Sequence, residues 1–184
     1  FIIDYIILID GDMILDKNFV KDHLKNSQKN YFIQGGRVLI SKKRTNDILN
    51  QHSTTNKFNF FTSGLLNKKN TIYMPFLTKF FFKKTNQNLD GIRTCNMSFW
   101  REDLFEVNGF NEDFVGWGRE DTELAVRLFN KGKFRKNIKF SGIAYHLHHE
   151  EKSRSNISVN DGHLCKSINS KSTWCNNGLF KVKK

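Results

Sequence analysis

A chain of 184 residues with 38% hydrophobic content is long enough for one domain with a sizeable core and too short for two comfortable ones. Eighteen phenylalanines against a single proline exclude a disordered linker and a loop-rich secreted scaffold. A net charge of +12 and a pI near 9.7 predict attraction to polyanions, whether nucleic acid, an acidic membrane surface or a phosphorylated substrate, without choosing among them.

The chain opens at Phe1 on an apolar run with neither an initiator methionine nor signal-peptide features, and is expected to be a fragment. That run, residues 1–9, is interrupted by Asp4 and ends at Asp10, far short of the roughly 20 apolar residues that span a bilayer. Its isoleucines predict a central strand buried on both faces. Asp10-Gly11-Asp12 would follow at the strand's carboxyl end, where open α/β sheets bind ligands. Alternate side chains of an extended segment share a face, so Asp10 and Asp12 can both address one hard cation, Mg²⁺ or Mn²⁺, carrying a diphosphate.

Asp16 is expected to cap a short helix whose packed face carries Phe19, Val20, His23 and Leu24, with His23 a core histidine. Residues 31–40 read as a strand bent at Gly35-Gly36, and residues 41–56 as polar and partly helical. Residues 57–84 interleave phenylalanine with lysine, which fits core packing, a membrane interface or single-stranded nucleic acid. No nucleic-acid signature accompanies them. Residues 91–100 read as a loop entering a strand, with Asn96 and Ser98 on one side and Met97 and Phe99 on the other. A helical turn from Arg101 would stop at Asn108-Gly109.

The stretch from 109 to 128, GFNEDFVGWGREDTELAVRL, gathers glycine and carboxylate ahead of a helix pattern. Gly116 and Gly118 free the backbone around Trp117, whose indole is either a flat platform for a sugar ring or a buried anchor. Glu120, Asp121 and Glu123 fall in the first turn, where the helix dipole favours carboxylates whatever their role. Asp121 shares its face with Ala125 and Leu128, so it points inward as a candidate general base that the dipole keeps ionised. Gly132 is the expected helix stop. Residues 139–151 read as a strand ending in His146, His148 and His149, whose imidazoles would suit Mn²⁺ better than Mg²⁺. Residues 152–184 read as a polar, basic tail with Trp174-Cys175 its main apolar anchor. The three cysteines lack paired spacing and predict thiols in a reducing compartment.

The stretch containing Gly116-Trp117-Gly118-Arg119-Glu120-Asp121 resembles the Gly-Trp-Gly-x-Glu-Asp segment of β-1,4-galactosyltransferases and of bacterial family 2 glycosyltransferases such as chondroitin polymerase. The order of Asp-x-Asp, Asn-Gly-Phe, Trp-Gly-x-Glu-Asp and a histidine strand is similar to theirs, and Tyr145-His146-Leu147-His148-His149 is closest to the lipopolysaccharide type. The resemblance implies an α/β GT-A fold, Rossmann-like and incomplete at the N-terminus, as one domain with a 1–151 core and a 152–184 tail. It implies inverting transfer of a hexose or N-acetylhexosamine from a UDP-sugar to a saccharide or glycolipid acceptor in surface polysaccharide or lipopolysaccharide synthesis. Asp12 would bind Mn²⁺ (or Mg²⁺), with Asp10 near the ribose or the metal and His146, or else His149, as a further ligand. Asp121 would be the catalytic base and Glu120 the acceptor contact. Trp117 with Gly116 and Gly118, together with Asn96, would bind substrate. Arg119 stands where the galactosyltransferases commonly have glycine, which bears on donor or acceptor preference. The expected location is cytoplasmic, with peripheral contact at the inner face of a bacterial membrane and no nucleic-acid partner. The rival expectation is a basic, non-catalytic module for nucleic acid or anionic membrane.

Overall fold

The computed structural model describes residues 4–50, 58–82, 87–150 and 153–182. Outside them lie the start of the first apolar run, the end of the polar stretch after Asn50, the lysines at 57, 83 and 84, Glu151, and both ends of the expected tail.

The strands form two four-stranded mixed sheets. In the first, β1 (Tyr5–Ile9) pairs antiparallel with β6 (Asn96–Trp100), β6 antiparallel with β3 (Tyr31–Gly35), and β3 parallel with β7 (Phe134–Ile138). In the second the order is β2 (Met13–Leu15), β8 (Ala144–His146), β4 (Val38–Ile40) and β5 (Leu65–Leu66). The expected strand over residues 31–40 is thus two strands, and its glycine bend is where the chain changes sheets. At Gly35 the fit is tight: a Cβ there would come within 2.2 Å of the Asn96 side chain.

Strand β1 corrects one expectation. It is an edge strand among the described residues and only half-buried, because the core lies on one of its faces, where Ile6 and Leu8 pack. The strands buried on both faces are β3 and β6. Met97 and Phe99 of β6 point into the main core with Phe32 of β3, Leu104 of α3 (Arg101–Glu106), and Leu124, Ala125 and Leu128 of α4 (Glu120–Asn130). The second sheet packs Val38, Ile40, Ile143 and Tyr145 around Ile48 of α2 (Lys42–Asn50).

Helix α1 (Phe19–Asn26) buries Phe19, Asp22 and His23, while Val20 and Leu24, expected on the packed face, are exposed. Asp22 is held inward by the Tyr73 hydroxyl at 3.1 Å and the Gly142 N–H at 2.8 Å. Asn18, not Asp16, is the N-cap; the Asp16 side chain, two residues earlier, accepts the Asn18 N–H at 2.9 Å. The stretch expected as a tail carries α5 (Ile157–Asn169), which packs on α4 through Asn160, Leu164 and Ser167. Two of those three buried residues are polar and a glycine sits mid-helix at Gly162, so the apolar periodicity that marks a packed helix is nearly absent.

Candidate active site

Strand ends bring the site together. Because β1 and β6 are antiparallel, with Ile9 opposite Asn96, the residues after β1 lie beside those before β6. Asp10 therefore neighbours Thr94 and Cys95. In the second sheet Met13 pairs with His146, and the Leu147 N–H donates to the Asp12 carbonyl at 3.0 Å, which joins the second acid of the motif to the end of β8.

Asp12, His146 and His149 converge, each offering one ligand atom within 4.8 Å of the others. Nε2 of His149 is 3.2 Å from one Asp12 oxygen and Nε2 of His146 is 3.5 Å from the other. Adjacent ligand atoms around one transition-metal ion stand about 3 Å apart, so this spacing fits a single cation. The Asp12 Oδ1 atom is buried without a hydrogen-bond partner, as a ligand oxygen awaiting a metal would be. Burial lowers the His146 pKa below the ordinary imidazole value, against the opposing pull of Asp12 and with help from the nearby Arg37 charge. The neutral ring is the ligating form. The two histidines weighed as alternatives stand side by side, ring centroids 5.1 Å apart. Asp10 does not join them; the turn at Gly11 separates the two carboxylates, and Asp10 instead sits where its charge is felt by Asp121, Cys95 and His146.

Asp121 opens α4 half-buried and faces the start of β6, where Thr94 binds both its oxygens: the hydroxyl donates to Oδ1 at 2.7 Å and the amide to Oδ2 at 3.0 Å. Burial raises its pKa above the usual carboxylate value; the two Thr94 bonds restrain the rise, and the Glu120 and Asp10 charges add to it. Desolvation outweighs the Thr94 bonds, so the carboxylate is more basic than an exposed one. Glu120 is half-buried beside it, with Oε2 lacking a partner.

The loop ahead of α4 is shaped from outside. Gly116 and Gly118 adopt φ of 82° and 104°, so the expected use of glycine there holds. A Cβ on Gly118 would come within 2.8 Å of Ile157. Asn160 of α5 donates to the Gly118 carbonyl at 2.9 Å, and Asn156 and Asn160 both reach the Val115 carbonyl. Arg119, at φ 78°, holds the left-handed N-cap position and pairs with Asp161 of α5. Trp117 is not a buried anchor: it is 41% exposed, with the Arg154 guanidinium over its ring at 4.6 Å.

Two residues depart from their expected roles. Asn96 is fully buried; its Nδ2 donates to the Gly36 and Gly142 carbonyls at 2.7 and 2.9 Å, which turns its Oδ1 to His23 at 2.9 Å. With its polar atoms spent on the fold, it has none left for substrate. Since Oδ1 only accepts, His23 Nε2 carries the proton, Nδ1 accepts from the Ser98 hydroxyl at 2.7 Å, and Ser98 accepts in turn from Tyr5. Glu123, grouped with the first-turn acids, is buried in an ion pair with Arg127 at 2.7 Å. Arg127 also donates to the Val107 and Gly109 carbonyls, and Ser167 of α5 donates to Glu123 at 2.9 Å. Neither this latch nor Thr94 carries a sequence signal beyond its helix or loop position.

An acid after β1, a histidine at the end of β8, and a Trp-Gly-x-Glu-Asp loop feeding a helix between mixed sheets make an arrangement consistent with a GT-A-like glycosyltransferase domain, and parts of the chain are similar to glycosyltransferases. Residues 76–150 match the family model for the N-terminal domain of galactosyltransferase. The chain is 41% identical over 75 residues to a chondroitin synthase of Pasteurella multocida, covering 35% of this chain and 7% of that protein. It is 31% identical over 70 residues to a chondroitin synthase of Escherichia coli, covering 33% and 10%. A validoxylamine A glucosyltransferase of Streptomyces hygroscopicus is 51% identical over 39 residues, covering 21% and 9%. The matched stretches are therefore a small part of each relative's length.

Proposed function

We propose that this chain carries the acceptor-side and metal-side residues of an inverting family 2 glycosyltransferase. It would move a hexose or N-acetylhexosamine from a UDP-sugar to a saccharide acceptor of a surface polysaccharide or lipopolysaccharide. The observation that carries the reading is Asp121: a desolvated carboxylate clamped through both oxygens by Thr94, beside the unpartnered Oε2 of Glu120. An acceptor hydroxyl held by Glu120 gives its proton to Asp121 as its oxygen bonds to the anomeric carbon. The bond from that carbon to the diphosphate oxygen breaks with its electron pair, and the configuration inverts.

Asp12, His146 and His149 would hold a divalent cation, and their oxygen and imidazole donors suit Mn²⁺. Such an ion supplies Lewis-acid neutralisation of the departing UDP. Arg37, whose guanidinium lies 3.9 Å from Cys95 Sγ and whose charge reaches His146, adds a fixed cation on the same side. Trp117 offers its ring to the sugar alongside the Arg154 guanidinium.

The test is transfer or hydrolysis by the full-length protein across a panel of UDP-sugars, with Mn²⁺ and then with a chelator. Turnover of at least one UDP-sugar that stops on chelation is expected. Turnover of none, with salt-sensitive oligonucleotide binding in its place, would overturn the reading in favour of a basic binding module.

A further inference from the structure

Among the described residues strand β7 closes the first sheet on the side away from β1; its alternate residues Arg135 and Asn137 share one face, and Lys139, just past the strand's end, lines the same pocket. That face is not bare. The 3₁₀ segment Pro75–Phe81 and the residue after it lay Phe80, Phe81 and Phe82 against it, enclosing with Asn88 a cavity of about 390 Å³. Among the described residues its lining carries two cations and no carboxylate; Asp90, whose charge Arg135 feels, is not in the wall. Arg135 is buried, donates to the Asp90 carbonyl at 2.7 Å, and keeps an Nε–H with no partner. A desolvated guanidinium left partly unsatisfied in an acid-free wall is a built anion receptor.

The rim identifies the anion's setting. Phe76 and Phe80 are 66% and 70% exposed, with Phe81 beside them at 43%, so the structure leaves this phenylalanine cluster outside the core instead of packing it. The ring faces are largely spoken for: Lys79, Lys139 and Lys136 each hold an ammonium 5.2 Å from the ring of Phe80, Phe81 and Phe82 in turn. Covered faces disfavour base stacking, which single-stranded nucleic acid would need. Exposed ring edges backed by lysine ammoniums instead match a bilayer interface, where aromatic edges enter the acyl boundary and the cations meet phosphates.

We infer that this face is a docking site for an anionic phospholipid surface, with a lipid phosphate seated between Arg135 and Lys139 and Phe76 and Phe80 inserted beside it. The inference is independent of the transfer chemistry. Among the described residues no helix is long and apolar enough to cross a membrane.

The test is co-sedimentation of the full-length protein with vesicles of phosphatidylcholine alone or mixed with phosphatidylglycerol. Binding is expected only to the mixed vesicles. Lys139→Gln should weaken it about fivefold, the worth of one cation at an anionic surface. Phe80→Ser should weaken it about tenfold through the lost apolar contact. Lys166→Gln on α5 removes the same charge elsewhere and should leave binding nearly unchanged. Phe80 and Lys166 are exposed, so both variants should keep the wild-type circular dichroism spectrum. Equal binding to both vesicles, an equal loss in Lys166→Gln and Lys139→Gln, or displacement from vesicles by single-stranded oligonucleotide with Phe80→Ser unaffected would each overturn the inference.

Discussion

The metal side and the base side of the site are built in different ways. Asp12 and His146 stand at the ends of paired strands, and the ladder between β2 and β8 sets their separation almost unaided. Asp121 stands at a helix start whose position depends on side chains from several elements: Thr94 clamps it, Asn156 and Asn160 hold the loop before it, and the Glu123–Arg127 pair ties its helix to the Asn108 turn and to α5. A half of the site made by backbone strand pairing tolerates side-chain change better than one made by side-chain packing. Substitutions far from the chemistry should therefore damage the base side first.

The largest expected effect lies on the metal side. Asp12→Ala removes a ligand and leaves His146 and His149 unbridged; Mn²⁺ binding by titration calorimetry should be lost and transfer should fall by more than about a hundredfold. The fold should survive, since the strand pairing there runs through backbone atoms. Arg127→Met acts on the other side. It strands Glu123 in the core and should cost about 3–5 kcal/mol in urea unfolding. Replacing both partners with apolar residues should recover much of that, which separates a stranded charge from simple loss of packing.

His23 yields a pH prediction. Its pKa falls from 6.5 to about 4, first because burial disfavours the charged ring. Above pH 6.5 neither state binds the proton. Between 6.5 and about 4 the unfolded chain takes up a proton that the folded chain refuses, so stability declines as pH falls, by about 3 kcal/mol at the lower end. His23→Gln should flatten that part of the stability profile relative to wild type.

The smallest effect expected is at Thr94. Thr94→Val removes the hydroxyl that helps hold the Asp121 pKa down while the backbone bond remains. The acid limb of the pH–rate profile should move to higher pH, and transfer at neutral pH should fall about tenfold as the carboxylate loses one fixed partner. Thr94→Ser should restore both. A purely structural role would lower the rate without moving the limb.

Much of this contrast could be read from the residues, and where it could not the cause is physical. Asp-Gly-Asp after an apolar strand, the alternation of Met97 and Phe99 against Asn96 and Ser98, the glycine stop at Gly132 and the packed His23 are local patterns, and the structure keeps each. Helix α5 escaped because it buries Asn160 and Ser167, whose value lies in the carbonyl and carboxylate they meet 42 and 44 residues away. Glu123 looked like one more first-turn acid because its partner four residues on is also a common surface pairing, and only burial distinguishes the two. Asn96 was placed on the correct side of its strand yet given the wrong task, since alternation tells which face a side chain takes and not whether that face is open. The same limit hid the edge position of β1, whose apolar run reads alike with core on one face or two.

The account rests on a division of labour between the two sides, with Asp121 taking the proton and Asp12 with the histidines holding the cation. Sugar transfer by Asp121→Asn in the full-length protein, with Mn²⁺ affinity measured on the same preparation, tests it most directly. Transfer reduced by about a hundredfold to ten-thousandfold with Mn²⁺ affinity unchanged is the predicted result. Transfer retained at the wild-type rate, or Mn²⁺ binding lost together with transfer, would contradict it.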